Sequence, residues 1–143
     1  MRAIKTFIIG SRAFFSNIEG YESKDIDQLC IMDEFKFRGN VLNGKIGNKD
    51  IFFFRNLDKE GFIQDALDSN VPMRVGKFLV PEFAEYLGLT IDDLKRLQQL
   101  IDDIDDRHLY EREIYKNYIK NGGFYLTDEQ RDSTYKLYKL KRK

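Results

Sequence analysis

Apolar positions in the first third of the chain come in short runs cut by glycines. Ile4 to Ile9 is such a run, and it stops at Gly10-Ser11 as a buried strand stops at a turn. Ser11 can cap a short helix over Arg12 to Ile18, and Glu19 to Lys24 reads as a loop around Gly20. Asp25 to Met32 alternates polar and apolar at first and then turns wholly apolar, which is strand periodicity. Val41 to Ile46 sets Asn43-Gly44 between Val41-Leu42 and Lys45-Ile46, the pattern of a tight hairpin. Asp50 to Phe54 is a third clear strand, and its large side chains call for burial on both faces.

After Asn56 the period lengthens to that of helices. Phe62, Ile63, Ala66 and Leu67 predict a helix over 58–69, followed by a connection across Asn70 to Gly76. Pro81 opens a helix that Gly88 closes. Thr90 caps a continuous helix to Ile104, with Leu94, Leu97, Leu100, Ile101 and Ile104 as its apolar stripe. A helix from about Arg107 to Lys120 ends at Gly122-Gly123, and Thr127 with Gln130 reads as a capping box for the last one. The expected class is α+β: a small mixed sheet in residues 1–70, then a helical region in 71–143.

Composition narrows the function. The 143 residues carry 24 Lys+Arg against 24 Asp+Glu, so bulk charge cannot hold the protein to nucleic acid and any basic surface is local. One cysteine, Cys30, excludes an internal disulfide framework and a four-cysteine zinc site. It reads as a small buried hydrophobe. His108, the single histidine, reads as a surface residue, and Asp102 to Asp106 as a solvated helix end. The longest apolar run near the start is Phe7-Ile8-Ile9, and no stretch of about 20 apolar residues occurs. A cytoplasmic protein without a membrane partner is the expectation.

Three polar features interrupt the strands where chemistry could gather. Gly10-Ser11 ends the first strand, and a glycine there lets the backbone approach a ligand while Ser11 offers a hydroxyl beside free N–H groups. Asp25 and Asp27, two apart, project from one face of the second strand. Two carboxylates so placed repel unless a cation compensates, and a hard divalent ion with oxygen ligands, Mg²⁺ or Mn²⁺, is the simplest one. Asp50 opens the third strand.

The segment Ile9-Gly10-Ser11, thirteen residues, then Asp25-Ile26-Asp27, resembles the signature of the polymerase-β-type nucleotidyltransferases. Gly10-Ser11-Arg12-Ala13 and Ser23-Lys24-Asp25-Ile26-Asp27 are most similar to the minimal nucleotidyltransferases, with Lys24 as one extra residue. The likeness spans about residues 4 to 55. It implies a nucleotidyltransferase core in which the Gly10-Ser11 turn holds the phosphates of a nucleoside triphosphate. It implies Asp25 and Asp27 as Mg²⁺ ligands, and Asp50 as the third acid, with Asp33 and Glu34 as alternatives. Lys49 departs from the hydrophobic residue expected before that acid. Arg12 and Lys24 are candidate phosphate contacts by position.

The implied activity is metal-dependent transfer of a nucleoside monophosphate from a triphosphate to a hydroxyl on RNA, protein or a small molecule. The alternative is a non-catalytic nucleotide- or nucleic-acid-binding module. Tyr135 to Lys143, basic with interleaved tyrosines, could bind a nucleic-acid strand, or could pack as an ordinary C-terminal helix.

Overall fold

The computed structural model describes residues 2–23, 25–36 and 38–141. The fold is α+β and divides into two compact units, Met1–Asp58 and Lys59–Lys143. Residues 59–69, grouped with the sheet on sequence, fall in the helical unit.

The first unit is a four-stranded sheet with one short helix. Its strands are β1 (Ala3–Ile9), β2 (Ile26–Met32), β3 (Val41–Ile46) and β4 (Lys49–Arg55), in the spatial order β1-β2-β4-β3. β1 runs antiparallel to β2, β2 parallel to β4, and β3 antiparallel to β4. Alternation along paired strands sorts the side chains onto two faces. Phe7, Ile9, Leu29, Ile31 and Phe54 share one face and are nearly inaccessible. Cys30, Met32 and Ile51 share the other and pack with Phe35 and Phe53. Cys30 is buried, and the Thr6 hydroxyl lies 3.6 Å from its Sγ.

The hairpin turn is not at Asn43-Gly44. Val41 to Ile46 is a single strand, and the chain reverses at Gly47-Asn48, where Gly47 takes a φ of 61°. A two-residue hairpin needs positive φ at its turn, and Gly47 meets that need three residues after Gly44. Gly44 instead lies in the ladder opposite Ile51, with the Phe53 ring 3.5 Å from where its Cβ would be. The first helix, α1 (Ser11–Phe15), is shorter than expected and has Gly10, not Ser11, at its N-cap. Phe15 is wholly buried and anchors it.

The helical unit comprises α2 (Lys59–Ser69), α3 (Pro72–Phe78), α4 (Pro81–Leu87), α5 (Ile91–Arg96), α6 (Gln98–Asp102), α7 (Leu109–Asn121) and α8 (Asp128–Lys141). Two expectations are corrected. The connection expected across 70–76 is largely α3, begun by Pro72 in its first turn. Gly76 sits inside this helix because Glu111 needs the space: a Cβ there would lie 2.8 Å from Glu111 Oε2. The buried Tyr115 hydroxyl donates to the Gly76 carbonyl at 2.7 Å. The long helix expected from Thr90 to Ile104 is broken at Leu97, whose φ of −97° and ψ of 9° leave the helical basin. Leu94, Leu97, Leu100 and Ile101 are all buried on either side of the break. His108 is only partly exposed, and its Nδ1 lies 3.5 Å from the buried Glu111 carboxylate.

The Thr90 cap is a full capping box with Asp93, and Asp93 also receives the Lys59 ammonium at 3.2 Å. Burial pushes the Asp93 carboxyl up, but the Thr90 N–H and the Lys59 ammonium outweigh it and hold it below the usual carboxylate range. A carboxyl depressed in the folded state stabilises the fold above its unfolded pKa, and the contribution is lost as pH falls through the folded value. Asp93→Asn is therefore expected to cost about 1–2 kcal/mol at neutral pH. It should also flatten the loss of stability below about pH 4. Urea unfolding of both proteins at pH 7 and pH 3 checks this.

In α8, Tyr138 is buried edge-on against Tyr110 at 5.2 Å, and Lys139 lies 4.9 Å over the Tyr135 ring. The tyrosines of the basic segment thus serve packing, while Lys136 and Lys139 are exposed. Arg142 and Lys143 lie outside the described residues. Among the described residues no helix is long and apolar enough to cross a membrane.

Candidate functional site

β1 ends at Ile9, and the next residue turns the chain into α1. Gly10 adopts φ 72° and ψ −156°, a region essentially closed to residues with a Cβ. The reason is visible across the ladder. Ile9 pairs with Asp27, and the Asp27 side chain rises against the Gly10 α-carbon. A Cβ at Gly10 would lie 2.8 Å from Asp27 Oδ2. The glycine bend and the acid therefore meet directly.

Asp27 is in turn the register partner of Asp50 on the parallel strand β4. Neighbouring strands lie about 4.8 Å apart and paired residues share a face, so both carboxylates leave the sheet side by side. Both are half-buried. At such a separation two like charges repel by about 1 kcal/mol even when well hydrated, and by more as water is excluded. Such a pair is eased by a cation held between its members. Its donors are all oxygen, as Mg²⁺ and Mn²⁺ require, and Mg²⁺ is commonly held by one or two carboxylates with waters and substrate phosphates completing the shell.

Asp25 stands one residue before β2 and is exposed. Among the described residues no group of three or more His, Cys, Asp or Glu side chains is arranged to hold a metal ion. The acids brought together are thus Asp27 and Asp50, with Asp25 beside them in sequence. Asp33 and Glu34 lie just past the other end of β2, where Asp33 accepts from the Arg2 and Glu34 N–H groups. Those two bonds, the Arg2 bond foremost, hold its carboxyl below the ordinary value.

The loop between α1 and β2 is stapled to the helix. Ser11 Oγ and the Tyr21 hydroxyl are 2.7 Å apart, and Arg12 Nη2 donates to the Ser23 carbonyl at 3.2 Å. Ser23 Oγ donates to the Asp25 carbonyl at 3.0 Å. Arg12, a phosphate contact by position alone, here ties down the segment leading to Asp25. Lys24 lies outside the described residues. Tyr21 was not singled out on sequence, because nothing in a lone tyrosine ten residues on marks it as the partner of Ser11.

Comparison with protein-family models, with curated proteins and with solved structures finds no match.

Proposed function

We propose that the protein is a metal-dependent nucleotidyltransferase of the polymerase-β type, its first unit forming the nucleotidyltransferase core. The observation that carries this is the contact of the Gly10 bend with Asp27, with Asp50 in register beside it. The bend and the Ser11 hydroxyl would face the triphosphate tail, and Asp27, Asp50 and Asp25 would hold Mg²⁺ or Mn²⁺. The ion, when bound, would offset negative charge at the α-phosphate and at the leaving oxygen. An acceptor hydroxyl oxygen would form a bond to the α-phosphorus as the bond to the bridging oxygen of the β-phosphate breaks. Pyrophosphate would leave, and the hydroxyl proton would pass to Asp50.

The test uses the full chain with α- and γ-labelled nucleoside triphosphates and candidate RNA, protein and small hydroxyl acceptors. Label from the α position is expected in a product, label from the γ position in pyrophosphate only, and a chelator should abolish both.

A non-catalytic nucleotide-binding module is favoured by the exposed position of Asp25 ahead of β2 and by the engagement of Ser11 with Tyr21. Calorimetry would then register a magnesium–triphosphate complex with no transfer to any acceptor.

A further inference from the structure

The row that holds the acids continues one strand further. Ile9, Asp27, Asp50 and Lys45 are successive register partners across β1, β2, β4 and β3. Lys45 thus leaves the same face as Asp50, with its Cα about 5 Å away and that of Asp27 about 10 Å away. It is exposed on the edge strand, so its long side chain can swing over the pair. One end of the row, Ile9, adjoins the glycine bend and the other is a cation, with two carboxylates between them.

We infer that Lys45 is a further residue of the site and that it selects a metal–polyphosphate complex over the bare metal ion. This rests on the proposed nucleotidyltransferase reading and names the form in which its substrate enters. An ammonium beside the acids opposes an incoming divalent cation. The same ammonium attracts a complex whose polyphosphate leaves it net negative. A single positive charge at this place therefore acts with opposite sign on the two ligands. A residue that merely supported the strand would move both affinities the same way.

The experiment measures Mn²⁺ binding by the resonance signal of free Mn²⁺. Binding of Mn²⁺ with an α,β-methylene nucleoside triphosphate is measured by calorimetry. Both use wild type, Lys45→Met, Lys45→Arg and Asp27→Asn as full chains. Lys45→Met is expected to bind Mn²⁺ alone about three- to tenfold more tightly and the complex about three- to tenfold more weakly. Both effects should shrink as salt is raised, and Lys45→Arg should match wild type. If Asp27→Asn loses binding while Lys45→Met shifts neither affinity, or shifts both in one direction, Lys45 has no such role and the acid site stands. If wild type binds neither ligand, the site itself is refuted and the role of Lys45 with it.

Discussion

Asp27→Asn is expected to reduce transfer of label from an α-labelled triphosphate by about a thousandfold while leaving the protein folded. Asparagine keeps the shape of the side chain beside Gly10, so packing at the bend is preserved. On the proposed reading, what is lost is the charge that would balance a divalent ion. Electrostatic stabilisation by such an ion is worth several kcal/mol, and each 1.36 kcal/mol is about a factor of ten in rate. The same substitution removes a charge and keeps the side chain's size, so its unfolding midpoint should stay close to that of wild type. Incorporation assays beside urea unfolding separate the two effects. A variant that transfers label at the wild-type rate would remove Asp27 from the chemistry.

Gly10→Ala should have the opposite profile, with a large loss of stability. The backbone conformation at Gly10 costs about 1–3 kcal/mol for any residue with a Cβ. The added methyl would also meet Asp27 Oδ2 at 2.8 Å, far inside ordinary contact. The bend must move, or the carboxylate must, and either breaks the register of bend and acid. Urea unfolding is expected to show the loss, and label transfer should fall with it. A stable Gly10→Ala protein with an intact site would mean that the bend and the acid do not touch in solution.

The strands were legible because their apolar runs are bounded by turn residues, and the sheet contains each of them. What misled was local chemistry with two solutions. Asn43-Gly44 and Gly47-Asn48 both suit a hairpin, and only the pairing of Lys45 with Asp50 and of Asn43 with Phe52 decides between them. Gly76 looked like a break because a glycine in a helix is costly. Its reason lies far along the chain, in the Glu111 carboxylate that occupies the space of its missing side chain. Leu97 carries no breaker at all, and nothing in its residue type marks the interruption there.

The site shows the same division. Gly10, Asp27 and Asp50 announced themselves by residue type and spacing, and the sheet places them together. Arg12 has the right charge in the right place, yet its guanidinium reaches the Ser23 carbonyl. Lys45 was passed over because its only claim is lateral. It becomes part of the row through pairing with Asp50, which no pattern along the chain displays.

The strand order carries a consequence for how the protein forms. β3 and β4 are joined by two residues and can zip locally in microseconds. β2 lies against β4 in parallel, and that pairing must close a longer loop before any contact rewards it. Asp27 and Asp50 come side by side only when this pairing forms. A chain that stalls before it would keep its hairpin and lack its acid pair.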